Sequence, residues 1–294
     1  MKLPRPGRFL LPVIFLSIGL NITGAAQSRC DRECLRGFIT RYIDAMIAHK
    51  PAALPLGDKV RFTEDTVDLP LGEGLWKSAS SLGPYRQDIL DVRQGVAASF
   101  AIVEEAGAPV MLVLRLKVAG DRITEIETQV TRSREQGAIF AVDALKAASP
   151  AMQMVPARPQ LSSREEAIRI AQFYPTGLKI GSFVTVDAPF APDAYRLENG
   201  RYMAGPAATN PASQNIKTQR IIAHPDITTR VVAVDEEIGI VLLRMNFGDT
   251  KSYGPGNALI VWEAFKVLGG QIHAVEAFMR IMPASAGSGW DQER

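Results

Sequence analysis

Two glutamates stand where acid–base chemistry is conceivable. Glu276 lies in a β-rich run, Gln271 to Met282, in which strand alternation sets it on one face with Ala274 and Phe278. His273 falls on the other face with Val275, Ala277 and Met279. A carboxyl held among alanine and phenylalanine has its charged form penalised, which suits a proton carrier. It equally suits a structural acceptor of hydrogen bonds from a neighbouring module. Glu127 has the same place in an earlier run, sharing a face with Glu125 and Ile123 and opposed by Ile126, Thr128 and Val130. Alternation leaves open which face points inward.

A second pair of acids repeats beside arginines. Tyr195-Arg196-Leu197-Glu198-Asn199-Gly200 occupies the position that Arg61-Phe62-Thr63-Glu64-Asp65 holds earlier. In each pair the arginine, Arg61 or Arg196, is placed to orient the glutamate, Glu64 or Glu198, as a surface salt bridge or at a pocket mouth, where Arg196 would contact a carboxylate or an oxygen-rich ligand with both arms. Tyr42 belongs to the apolar stripe of a predicted helix, its hydroxyl near a cavity rim. His49 follows that helix as a C-terminal cap or, alternatively, a base. His224 precedes Pro225 in a loop with no nucleophile beside it. Trp76 and Trp262 are pocket walls or core.

These residues are carried by elements that occur twice. Lys117 to Thr128 (KVAGDRITEIET) returns as Lys266 to Ala277 (KVLGGQIHAVEA), with Lys117/Lys266, Val118/Val267, Gly120/Gly269, Ile123/Ile272 and Glu127/Glu276 agreeing without a gap. Ahead of the first copy, Leu35, Phe38, Ile39, Tyr42, Ile43, Met46 and Ile47 recur at steps of three and four, predicting a helix over 31–48. Strands are expected over 60–71, 91–105, 109–118 and 122–132. Ser162 or Ser163 caps a second helix from Arg164, with Ala167, Ile168, Ile170 and Ala171 on its apolar side. β-rich runs at 231–239, 240–247, 258–267 and 271–282 follow, and the loop 248–256 is an insertion. The expected architecture is α+β: tandem cone-like modules, each with helices on a curved, mainly antiparallel sheet. The boundaries read as a secretory leader 1–26, a first domain 27–148, a linker 149–160, a second domain 161–284 and a tail 285–294.

The leader reading rests on Lys2, Arg5 and Arg8, an apolar stretch from Phe9 to Ile22, and small residues before Gln27. The fourteen residues of that stretch, one of them a glycine, fall short of the roughly 20 needed to span a bilayer. A periplasmic or secreted protein is therefore expected, with no stable membrane span after the leader is removed. The formal charge of +2 turns slightly negative once those three basic residues leave, and no basic run survives to grip a nucleic acid backbone. Cys30 and Cys34 favour a local disulfide in such a compartment. No GxGxxG, phosphate loop, HExxH, Cys-rich metal pattern or GxSxG elbow occurs, so no cofactor is called for.

Arg61-Phe62-Thr63-Glu64, Leu71-Gly72-Glu73-Gly74-Leu75-Trp76, Arg115 to Val118 continuing through Ile123 to Glu127, and Gly287-Ser288-Gly289-Trp290 carry a resemblance. Over roughly residues 30 to 290 the chain resembles the nuclear transport factor two-like superfamily, also called SnoaL-like or ketosteroid-isomerase-like, and within it a group of secreted fungal and bacterial proteins. The resemblance implies a pocket between sheet and helices; it implies neither catalysis nor a particular ligand. The isomerase branch uses a carboxylate base, but its full arrangement does not map onto these residues.

The functional expectation is a cofactor-independent lyase, dehydratase or isomerase acting on a small apolar or oxygenated organic molecule. The alternative is a non-catalytic extracytoplasmic module that binds a small molecule or a protein. A homo-oligomer is left open. One functional pocket is expected in the second module, on the strength of Arg196, Glu198, His273, Glu276 and the longer loop.

Overall fold

The computed structural model describes Met1, residues 30–287, and residues 289 and 290. Apart from Met1 the expected leader lies outside the described residues. Among those described, no helix is long and apolar enough to cross a membrane.

Two modules of one topology follow each other. The first has helix α1 (Arg32–Ile47) and strands β1 (Leu56–Glu64), β2 (Val67–Asp68), β3 (Ala79–Asp91), β4 (Val96–Glu105), β5 (Ala108–Ala119) and β6 (Arg122–Thr131). Short helices α2 (Arg134–Gly137) and α3 (Pro150–Gln153) lie in the connection. The second module has α4 (Arg164–Ile180) and strands β7 (Phe190–Glu198), β8 (Arg201–Ala204), β9 (Thr228–Asp235), β10 (Ile240–Asn246), β11 (Asn257–Leu268) and β12 (Gln271–Pro283). The sheets run β2-β1-β6-β5-β4-β3 and β8-β7-β12-β11-β10-β9. Among the described strands, only β1 with β6 and β7 with β12 are parallel.

Local sequence chemistry sets these elements. Asp31 and Ser163 cap α1 and α4 through their side chains, accepting from Cys34 N and Glu166 N. Cys30 and Cys34 form a disulfide across the first turn of α1. The run expected as one strand over 91–105 is broken, because Gly95 adopts φ +60° and the Asp91 carboxylate accepts from Gln94 N, closing a turn between β3 and β4. The run 60–71 also breaks, at Asp65 and Thr66, both at positive φ.

The sequence echo is the hairpin β5–β6 matched by β11–β12, bulge included. Register slips between Lys117 and Val118 in one and between Lys266 and Val267 in the other. The bulge overturns one face assignment: Ile123 packs in the helix-side core with Ile126 and Val130, not with Glu127. His273 is the bulged residue of the second hairpin, passed over between the pairs Ile272–Val267 and Ala274–Lys266.

Each sheet packs one face on its own helix and the other on the opposite module. Tyr42, Trp76, Leu114 and Ile126 belong to the first helix-side core, and Tyr174, Phe265, Val275 and Met279 to the second. Between the sheets lies a third core holding Tyr85, Phe100, Trp262 and Phe278, with Phe278 stacked on Phe100 at 4.9 Å. A reciprocal clamp joins the modules. Arg32 at the start of α1 pairs with Asp235, which also accepts from Leu90 N; Arg164 at the start of α4 pairs with Asp91, which also accepts from Val234 N.

Candidate functional site

The second module holds a cavity of about 290 Å³ between α4 and the concave face of its sheet. Strand alternation decides what enters it. On β7, Leu197 faces the other module, so Arg196 and Glu198 face the cavity, beside Val275 and Ala277 of β12. On β11, Trp262 and Ala264 face the other module, so Glu263 between them points inward with Leu259 and Val261.

Arg196 organises the polar floor. Its Nη1 donates to the Tyr174 hydroxyl at 3.1 Å and its Nη2 to Gln219 Oε1 at 3.3 Å, while Nε lies 3.1 Å from Glu198 Oε1. Burial works to lower the Arg196 pKa, and Glu198, Tyr174 and Glu263 together more than reverse this, so the guanidinium stays charged. Glu263 is 1 % exposed. Burial, reinforced by repulsion from Glu198, pushes its carboxyl up to about 8, with the Tyr174 hydroxyl alongside. At neutral pH the floor therefore carries one ion pair and one neutral carboxylic acid.

Four buried atoms around this floor have no hydrogen-bond partner among the described residues: Glu263 Oε2, Gln219 Nε2, His224 Nδ1 and Arg196 Nε, the last of which has only its ion pair with Glu198. A buried polar group without a partner costs about 1–3 kcal/mol, so such a group marks a place for water or a ligand. His224 has its pKa lowered by burial and its ring edge-on to Phe247 at 4.9 Å. Tyr253, from the inserted loop 248–256, closes part of the wall.

The first module fills the same space. Counted from the first helical residue, Tyr42 of α1 is the counterpart of Tyr174 of α4. Its hydroxyl accepts from Trp76 Nε1 at 2.8 Å, and Leu75 and Trp76, each 1 % exposed, plug the cone. Glu64 turns to that plug, accepting from Leu75 N at 2.9 Å. Strand register sets Phe62 opposite Arg196 and Leu114 opposite Glu263 in the comparison of the two modules. Where the first module has two apolar residues, the second has an arginine and an acid.

The other sequence candidates lie elsewhere. Glu127 and Glu276 both leave the cones and enter the interface between modules. Glu127 accepts two bonds from Arg230 Nη2, at 2.8 and 2.7 Å, with Arg244 Nε at 3.8 Å. Glu276 Oε1 accepts from the Tyr195 hydroxyl at 2.6 Å and from Ser149, with Tyr85 also facing the carboxyl; burial raises its pKa against these bonds. His273, half-buried, reaches the Leu268 carbonyl at 3.2 Å at the end of its hairpin. His49 follows α1 at φ +54° and bonds to the Trp76 carbonyl; with Pro51, Gly72, Trp76 and Lys77 it lines a second cavity, of about 350 Å³ and as open as the one in the second module, at the outer side of the Leu75–Trp76 plug. So the structure brings Arg196 and Glu198 together and sets Glu276, His273, Glu127, Tyr42 and His49 apart from them.

Sequence reasoning missed Tyr174, Gln219 and Glu263. The signal for Glu263 was a single carboxylate inside the apolar run 258–268, and for Tyr174 its equivalence to Tyr42. Among the described residues, no group of three or more His, Cys, Asp or Glu side chains is placed to hold a metal ion.

A family described as "Domain of unknown function (DUF8021)" matches residues 160–279, which span the second module up to Met279. No curated protein matches the chain. One similar solved structure is the crystal structure of an NTF2-like protein of unknown function from Shewanella baltica OS155. It is 12% identical, with a TM-score of 0.29, over 40% of this chain and 93% of that one.

Proposed function

We propose that the second module binds a small, mainly apolar, oxygen-bearing molecule in its cone cavity. The observation that carries this reading is Glu263, a buried carboxyl with an unpartnered oxygen in the cavity beside Tyr174 and Arg196, at the position where the first module has Leu114. Burying a polar atom without a partner is destabilising, and at Glu263 a polar group of a ligand in the cavity would supply that partner. The neutral acid donates a hydrogen bond, and the Arg196–Glu198 pair orients a second polar group without adding net charge. The cavity is at the lower end of the usual range for small-molecule sites, which fits a compact ligand. The leader-like start of the sequence and the Cys30–Cys34 disulfide support an extracytoplasmic setting.

Glu263→Leu tests this directly. Filling the cone with the first module's residue is expected to raise the melting temperature of the free protein and to abolish the thermal shift given by any small molecule that stabilises wild type. A panel compound that stabilises both proteins equally would contradict the reading.

One observation favours chemistry in the same cavity: a carboxyl with a pKa near 8 exchanges protons at neutral pH, as a general acid or base must. In the lyase or isomerase reading Glu263, not Glu276, moves the proton, and the Tyr174 hydroxyl with Arg196 stabilises the developing oxyanion. Glu263→Gln separates the two readings. Retained ligand affinity with lost turnover supports catalysis, and retained affinity with no turnover in either protein leaves binding as the function.

A further inference from the structure

The segment after β12 crosses back to the first module and seats one side chain between two arginines. The Trp290 ring lies 4.3 Å from the Arg61 guanidinium and 5.5 Å from that of Arg115. Its Nε1 donates to Thr63 Oγ1 at 3.0 Å, and its carbonyl accepts from Arg230 Nη1 at 3.2 Å. Ahead of it, the Gly287 carbonyl accepts from Arg244 Nη1 and Asn246 Nδ2, each at 3.0 Å. Gly289 has φ +89°, and a Cβ there would come within 2.8 Å of Glu127 Oε1 and 2.9 Å of the Arg244 guanidinium. Only glycine lets the backbone lie on this ion cluster.

The cleft has the parts of a recognition site: a cationic slot for an aromatic ring, an acceptor for its N–H, donors for two carbonyls, and a floor that admits only glycine. Its floor, Glu127 with Arg230, is ordered by its own ion pair, in which Nη2 of the arginine meets both carboxylate oxygens. The corresponding place on the opposite side of the interface is filled by the connection between modules, whose Ser149 reaches Glu276 and Tyr195, the counterparts of Glu127 and Arg61.

We propose that this cleft is a binding site for a glycine-flanked tryptophan peptide, occupied in cis by Gly289-Trp290 and open to the same segment of a second copy of this chain. The site is separate from the second-module cavity and does not depend on what that cavity binds. Its specificity lies in the indole N–H and in the glycine before it.

The test uses full-length chains and a fluorescently labelled peptide spanning Ala284 to Arg294, followed by anisotropy. W290A, which vacates the slot, is expected to bind the peptide at least tenfold more tightly than wild type, whose own segment competes at high effective concentration. Replacing tryptophan by alanine in the peptide is expected to weaken binding at least tenfold, and adding Thr63→Val to W290A to weaken it at least threefold. Equal binding by wild type and W290A, or indifference to the peptide's tryptophan, would overturn the proposal. If W290A does not fold, Trp290→Phe replaces it, with the same ranking of peptides expected.

Discussion

Glu127 and Glu276 hold the same position in their two modules, face the same interface, and meet opposite chemistry. Glu127 is neutralised by Arg230 and Arg244, whereas Glu276 is held by the hydroxyls of Ser149, Tyr195 and Tyr85. Both copies of the acid face the joint between modules, whereas Arg196 and Glu263 lie on the other face of the second sheet.

Glu127→Gln is therefore expected to destabilise far more than Glu276→Gln. Removing the charge leaves Arg230 buried against a neutral amide, which costs about 3–5 kcal/mol. The Glu276 site, where burial already favours the neutral acid, accepts an amide at a cost of about 1 kcal/mol. Urea unfolding at pH 7 of the two variants checks the ranking, and equal losses would show that the two sites are not electrostatically distinct.

The reciprocal clamp should behave as two equal halves. Arg32→Ala exposes Asp235 and Arg164→Ala exposes Asp91 as buried carboxylates that keep a backbone donor from the opposite module but lose their cation. Each single variant is expected to lose about 2–4 kcal/mol. Measured by chemical denaturation, a loss confined to one of the two would mean that the modules are not joined symmetrically.

Glu263 sets a pH dependence of known sign. Its folded-state pKa near 8 exceeds the ordinary 4.5, so the native protein holds a proton that the unfolded chain has released between those values. The stabilisation is fully present below about pH 4.5 and is lost as pH rises through 8. Melting temperatures of wild type minus those of Glu263→Gln should accordingly fall across that window, by an amount on the order of a few kcal/mol in free energy. A flat difference would mean that Glu263 is not held neutral.

Opening the disulfide should matter little to the fold as a whole. Cys30 and Cys34 close only the first turn of α1, and a loop that short contributes about 2 kcal/mol or less. Cys30→Ser with Cys34→Ser should lower the melting temperature by a few degrees and leave ligand-induced shifts intact.

What the sequence disclosed follows the range of the interactions involved. The β5–β6 and β11–β12 hairpins are local, so Lys117 to Thr128 and its copy could be matched by eye, and the tandem α+β arrangement followed from them. Which face of β12 lines the cone is decided by the bulge at His273 and by a second sheet packed behind, and neither is local. Glu276 looked like the pocket acid for that reason. Glu263 escaped notice because its neighbours from Leu259 to Phe265 read as core, which they are, on two different faces. Tyr174 sits in a helix that continues through Pro175 to Ile180, and what marks it out is its equivalence to Tyr42 along the two helices, a relation between distant segments. Arg196 and Glu198 could be found because the register of their strand repeats that of Arg61 to Asp65.

The central claim, that the second cone is a binding cavity and the first is plugged, is tested most directly by methyl NMR. Met203 and Met279 line the second cavity, while Met46 packs in the first cone's core. Titrating wild-type protein with small oxygenated apolar compounds should shift the Met203 and Met279 methyls, leave Met46 unmoved, and give no shifts in Glu263→Leu. Compounds that move Met46, or that move Met203 and Met279 equally in Glu263→Leu, would contradict it.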